Sequence, residues 1–505
     1  MRPCTVHRSP CTGLLRRDTG RGVRPGPRRH GARCTVHGAR ILTAAGLLLL
    51  PAALTAQAPP AVALVGATLV DGTGAAAVPD ATIVLRDEGI ACVGRGAACP
   101  IPRDARTVDV RGKWIIPGLI DTHVHFSQTG WVDGRPDALD LRAWYPYERV
   151  AADLAANPEA FFRSYLCSGV TSVFDVGGFP WTWTLERQTA ANPDAPAVRA
   201  AGPLLSTVDF RMVDLPGHEQ MIHLADDSTA RSTVRAHAAW GAAAIKVWYL
   251  MPPQPPDTAR MSTLVHAAGD EARKVGLPLI VHATGLWQAK DAVRAGAKLL
   301  VHSVTSEPVD DEFIALAKAA GTSYTPTLVV SDGYRQVAAR RFERERQPLA
   351  CVDPATRAKA LATDTVALDR RPTAEQVERR AAGVARAYGV ALANLKRVHQ
   401  AGIPVVLGTD AGNPLTLHGA SVFMELEAMQ EAGLSPMDVL VAATRNGARA
   451  MGLERTGTVT AGSVADLVVL DADPLANVTN VRRIALVVRR GKLHPRAELE
   501  WPSLR

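Results

Sequence analysis

The stretch IIPGLIDTHVHF, residues 115 to 126, ends an apolar run with two histidines separated by a single valine. In an extended strand, side chains two positions apart share a face, so His123 and His125 can approach one metal ion while Val124 packs the other way. The pattern recurs along the chain. Lys246 closes AAAIK, His282 closes PLIVH, His302 closes KLLVH and Asp410 closes VVLGTD, each a polar residue at the end of an apolar run. One histidine in such a place is more often a satisfied core residue than a ligand, but repetition at separate strand ends, with a carboxylate, points to a shared centre. Gly118, Gly408 and Gly412 stand beside these groups, where backbone must come close to a site.

The elements that must position these residues alternate short apolar strands with Ala-rich helical segments, the pattern of βα units and a parallel sheet. Candidate strands are IIPGLIDTHVH, VTSVFDVG, VRAAGPLLS, AAIKVW, PLIVHAT, LLVHSV, YTPTLVV and PVVLGTDAG. Eight is the number that closes a barrel, and barrels keep their chemistry at the C-terminal ends of the strands. The flanks are β-rich instead, with AVALVGATLV, ATIVLRD, IACVG and RTVDV near one end and ADLVVLD and IALVVRRGKL near the other. The expected architecture is α/β: a (β/α)8 TIM-like barrel over 116–454 with a small β-sandwich domain built from both chain ends, 59–115 and 455–495, and a tail at 496–505.

Charge is distributed unevenly. The chain of 505 residues has a formal net charge of +8, but residues 1–40 alone hold 10 Arg and one Asp, leaving 47 Lys+Arg against 48 Asp+Glu in the rest. The folded part therefore has no basic excess with which to bind nucleic acid. Arg40 then precedes an apolar run from Ile41 to Leu54, followed by small residues that offer cleavage near 56–58. This is a signal-peptide pattern, too short for a membrane span, and it implies a periplasmic or secreted protein with no stable membrane anchor after its removal. Export permits disulfides, and the turn at Gly94–Gly96 brings Cys92 and Cys99 into range of a local bridge, with two free buried thiols as the other reading.

Taken together, PGLIDTHVH, AAAIKVW, IVHATG, LLVHSV and LGTDAG, with the stretch LHGASVFMELEAMQEAGLSPMDVLVAATRNGARAMGLERTGTVTAGSVADLVVLDADPL, resemble the amidohydrolase superfamily across residues 61–495. Xaa-Pro dipeptidases and imidazolonepropionase-like proteins are the similar members. The resemblance implies a binuclear centre of two divalent ions, with His123, His125 and Asp410 on one ion and His282 and His302 on the other; the donor types suit Zn²⁺, with Mn²⁺, Co²⁺ and Fe²⁺ as alternatives. It further implies that Lys246 carries a CO₂-derived carboxylate. An ammonium cannot ligate a cation, whereas a carbamate is an anion with two donor oxygens. Two cations lower the pKa of a shared water and polarise a carbonyl, and Asp410 then passes a proton to the leaving amine. Asp121, on the same strand face as the histidines, reads as structural rather than as a ligand.

The expected substrate is a small molecule or short peptide, a dipeptide or N-acyl amino acid. Lactonase, esterase or phosphotriesterase chemistry on the same centre is an alternative, as is a non-catalytic metal-stabilised binding protein; a mononuclear deaminase would have no use for Lys246. His218, in STVDFRMVDLPGHEQMIH, and Tyr249, beside Trp248 in WYLMPPQPP, are candidate substrate contacts, an exposed loop histidine being the plain reading of the first. An Arg-rich insertion over 331–400 is expected to form helices over the active face, and its arginines are candidate partners for a substrate carboxylate. A homo-oligomer stays open. For the export reading, the intact mass of protein recovered from its native host is expected to place the mature N-terminus near Gln57; an unprocessed N-terminus would remove that reading.

Overall fold

The computed structural model describes residues 60–251, 257–365 and 373–502. The basic arm, the signal-peptide pattern and the PPQPP stretch lie outside the described residues. The first strands are β1 (Val62–Leu69), β2 (Val78–Arg86), β3 (Gly89–Gly94), β4 (Arg106–Asp109) and β5 (Trp114–Pro117). Strands β6 (Leu119–Val124), β7 (Val170–Asp175), β8 (Ala197–Ala200), β9 (Leu204–Ser206) and β10 (Met221–His223) follow. The later ones are β11 (Ile245–Trp248), β12 (Leu279–His282), β13 (Ala297–Val301), β14 (Ser323–Thr325), β15 (Leu467–Leu470), β16 (Ile484–Arg489) and β17 (Lys492–Pro495).

Both chain ends enter one mixed sheet of eight strands, in the order β17-β16-β15-β5-β1-β2-β3 with β4 beside β1. The small β domain is thus built from both ends of the chain, as expected, and its strands are hydrogen-bonded into one continuous sheet. The reason lies in β1, whose first half pairs with β4 and whose second half pairs with β5, while β5 pairs on its other side with β15 from the far end of the chain. Leu64, Leu69, Ile83, Ile115, Leu467 and Val488 bury the inner face of this sheet.

The parallel strands form two sheets, β6-β7-β8 and β10-β9-β11-β12-β13-β14. Hydrogen bonds join their edges. Ala243 N–H donates to Ala200 at 2.8 Å, and β9, which continues the line of β8 after the break at Ala201–Pro203, pairs with β11. On the other side, Tyr324 N–H donates to Pro404 at 2.9 Å, Thr122 N–H to Leu407 at 3.0 Å and Asp410 N–H to His123 at 2.8 Å. The segment 404–411 thus takes the eighth place between β14 and β6, and all eight candidate strands contribute to one ring, except that Ile115–Pro117 at the start of the first candidate belongs to β5 of the mixed sheet. Every residue of β6 and β7 is buried, as expected for parallel strands covered on both faces.

The insertion contains helices Val330–Ala339, Pro354–Leu361 and Ala374–Gln400. It is fastened by a disulfide the sequence did not reveal, between Cys167 at the end of helix Glu159–Cys167 and Cys351, 184 residues further on. Cys92 and Cys99 are also bonded, with Cα atoms 5.6 Å apart. Because a long closed loop restricts the unfolded chain more than a short one, Cys351→Ser is expected to cost about 2 to 5 kcal/mol in non-reducing denaturant titration. Cys92→Ser, which opens a separation of 7 residues, is expected to cost less.

Candidate metal centre

The strand-end residues converge at the C-terminal mouth of the ring. His123 and His125 project from the end of β6, and their Nε2 atoms lie 3.3 and 3.0 Å from Asp410 Oδ1. Each of these three offers a donor atom within 4.8 Å of the others. His302, just past β13, has Nδ1 at 3.8 Å from Asp410 Oδ2, and its ring centre is 4.3 Å from that of His282 at the end of β12 and 4.8 Å from that of His123. Lys246 of β11 is buried and lines the same cavity.

Several observations show why the chain folds this way locally. Asp410 and His302 have φ of +63° and +72°, a left-handed conformation that ordinary residues avoid and that concentrates at functional sites. A Cβ on Gly408 would stand 2.5 Å from Thr325 and 2.8 Å from His123, and one on Gly412, at φ +112°, would stand 2.6 Å from the His125 carbonyl. Only glycine lets segment 404–411 pass so close to β6. Asp121 turns away from the centre. Its carboxyl accepts Thr409 N–H at 3.0 Å, Thr409 O–H at 2.6 Å and His123 N–H at 3.2 Å, tying β6 to the eighth segment. Asp175, at the end of β7, likewise accepts Phe126 N–H and Gly177 N–H. It was missed in the sequence, although it closes VTSVFD just as the other site residues close their strands.

Electrostatics favour neutral ligands. Burial, then the charge of Lys246, holds His123 and His282 well below the usual histidine range, and burial followed by its neighbour His282 does the same for His302. Burial brings Lys246 down to about 7, against the opposing pull of Asp410 and Asp175. The His125 Nδ1–H donates to the Gly177 carbonyl at 2.7 Å, which leaves the lone pair on the Nε2 that faces Asp410.

The donor set fits divalent ions. Both ring nitrogens of His123 and Oδ1 of Asp410 are buried without a hydrogen-bond partner, a costly state unless a cation completes it. Residues 114–494 match the amidohydrolase family model. The chain belongs to the amidohydrolase family. Its members, among them imidazolonepropionase, dihydroorotase and deaminases, are hydrolases acting on carbon–nitrogen bonds, and they typically use divalent metal ions. Imidazolonepropionase of Mesorhizobium japonicum is 26% identical over 81% of this chain and 90% of its own length. Dihydroorotase of an Anaeromyxobacter species is 25% identical over 77% and 84%. A solved Xaa-Pro dipeptidase shares the fold with a TM-score of 0.63 at 21% identity, covering 86% of this chain and all of its own.

Above the amidohydrolase centre is a cavity of about 260 Å³. Leu204, Val213, Met221 and Trp248 form an apolar flank, and the insertion adds Tyr334 and Tyr388. Two expected contacts are elsewhere. His218 is exposed on its loop, where its backbone pairs with Leu215, and it does not line the cavity. Tyr249 points to the outer side of β11 and donates to Asp291 at 2.8 Å, because alternation along the strand sends Trp248 to the cavity and Tyr249 away from it. Among the described residues no insertion arginine lines the cavity, and Arg335 and Arg346 pair with Asp332 and Glu343. Among the described residues the only guanidinium lining it is Arg135, on the loop after β6. Asp137 holds it bidentately, and it donates to Asn413, which also accepts from the Tyr334 hydroxyl at 2.7 Å. Nothing in the local pattern around GWVDGR distinguishes this arginine from a surface one.

Proposed function

We propose that this amidohydrolase is an exported enzyme that hydrolyses the amide bond of a dipeptide or N-acyl amino acid. The observation that carries the reading is one cavity that, among the described residues, holds a cluster of unpaired metal-type donors, a single guanidinium and an apolar flank. His123, His125 and Asp410 would hold one divalent ion, zinc by donor type, and His282 and His302 a second, with a carboxylated Lys246 as a further anionic donor. When bound, the ions supply hydroxide near neutral pH and polarise the substrate carbonyl. Asp410 takes the proton of the attacking water and returns it to the leaving nitrogen, which an amide needs because its anion leaves poorly. Arg135, fixed in position by Asp137, receives the substrate carboxylate through a charge-assisted hydrogen bond. Trp248, Met221 and Val213 enclose an apolar side chain and exclude water. The Arg40-flanked apolar run supports export, as does the pairing of all four cysteines among the described residues in disulfides.

A panel of dipeptides, N-acyl amino acids and lactones, assayed with protein supplied with zinc and bicarbonate, tests the substrate class. Lactones outpacing every peptide would leave only the family-level hydrolase. Within that assay, Lys246→Ala is expected to lose bound metal and turnover together; full metal content with full activity would exclude Lys246 as a donor. Asp410→Asn is expected to keep most of its metal and lose turnover, whereas unchanged turnover would take Asp410 out of proton transfer.

Amidating the substrate carboxylate is expected to lower kcat/KM by more than tenfold, roughly 1.5 to 3 kcal/mol for a hydrogen bond to a charged group. In Arg135→Met that discrimination should disappear. A variant that still prefers the free acid by the same factor would assign the carboxylate to another residue.

A further inference from the structure

Two features beside His302 have no part in the mechanism above. The first is Glu425, in helix Val422–Glu431, a fully buried carboxyl that forms no ion pair among the described residues. Its two oxygens accept the backbone N–H groups of Leu328 at 2.9 Å and Val329 at 3.0 Å, one each. These belong to the short segment between β14 and helix Val330–Ala339. The second is Thr327 in that segment, a β-branched residue with φ +44°, in a region such residues adopt only when their surroundings impose it. Its hydroxyl lies 2.7 Å from His302 Nδ1. From the other side, Ser303 donates to the Pro326 carbonyl through N–H at 3.0 Å and O–H at 3.1 Å. The segment is therefore clamped at both ends, with Thr327 held against the imidazole between them.

We propose that Glu425 and Thr327 form a positioning relay for His302: Glu425 holds the segment in its strained conformation, and the Thr327 hydroxyl accepts the His302 Nδ1–H. This fixes both the rotation of the ring and the tautomer. The lone pair is left on Nε2, the form able to bind a cation. Without the clamp, Thr327 relaxes toward ordinary φ and its hydroxyl leaves the ring. The same segment continues into Leu328, Val330, Ser331 and Tyr334 of the cavity wall, so the relay also couples the wall to the centre.

The inference rests on His302 as a ligand. Its test is zinc affinity of the full-length folded protein, measured by competition with a chromophoric chelator alongside thermal unfolding. Wild type should bind two equivalents; fewer would overturn the binuclear reading itself, whatever the variants do. Thr327→Val, which keeps the shape and removes the hydroxyl, should weaken one of the two equivalents by about 10- to 100-fold, and Thr327→Ser should restore it. Two wild-type equivalents in Thr327→Val, or equal loss in Thr327→Ser, would overturn the relay and leave the centre standing. Glu425→Gln, which can accept only one of the two N–H groups, should weaken the same equivalent, and its effect should not add to that of Thr327→Val. Additive effects would separate the two residues and overturn the coupling. Should Thr327→Val fail to fold, Thr327→Ala takes its place with the same readout.

Discussion

The structure depends on one costly arrangement: nitrogen and oxygen donors gathered in a buried space where several have nothing to bond to. His123 presents two ring nitrogens and Asp410 one carboxyl oxygen without partners, with Lys246 buried beside them. Unpaired polar atoms and charges in a low-dielectric interior are unfavourable by several kcal/mol each, so the arrangement makes sense only with cations to share. A ring of parallel strands is suited to assembling it. Several of its strands each deliver one or two side chains to the same mouth, and backbone hydrogen bonds to both neighbours prevent the strands from drifting apart.

Close backbone packing accompanies that cost. Segment 404–411 lacks the regular ladder of its neighbours and yet carries Asp410, in a left-handed conformation between two glycines that permit its approach to β6. Asp121 stabilises this approach by bonding both the backbone and the hydroxyl of Thr409. Burial raises Asp121 to about 7 and Asp175 to about 6. The N–H and O–H groups that these carboxyls accept act against that rise. Strain at Asp410, His302 and Thr327 is distributed over one small region, each instance held by contacts from a different element.

The cavity is built by parts of the chain remote from one another in sequence. Its polar side combines Arg135 and Asp137 from the loop after β6 with Asn413, just past the eighth segment, and Tyr334 from the insertion. The Cys167–Cys351 bond fastens the insertion to a helix of the barrel. The cavity walls are consequently held by covalent and hydrogen-bonded ties as well as by apolar packing, in which Leu328 and Ala391 of the wall take part.

Much of the centre was legible in the sequence, because a polar residue closing an apolar run is a local pattern and six side chains repeat it. The eight strands were legible for the same reason, each being a short apolar run between helical stretches. By itself the sequence determined which residue types stand at the strand ends, that the charge of the first 40 residues is foreign to the rest, and that both chain ends are β-rich. Tertiary structure alone decided the remainder. Whether Trp248 or Tyr249 faces the cavity depends on the register of β11, and which arginine enters it depends on where the loop after β6 is folded. The bond between Cys167 and Cys351, and the grip of Glu425 on Leu328 and Val329, join residues separated by 184 and about 97 positions. No periodicity records such contacts, because they are set by the packing of whole elements and not by the preferences of neighbouring residues.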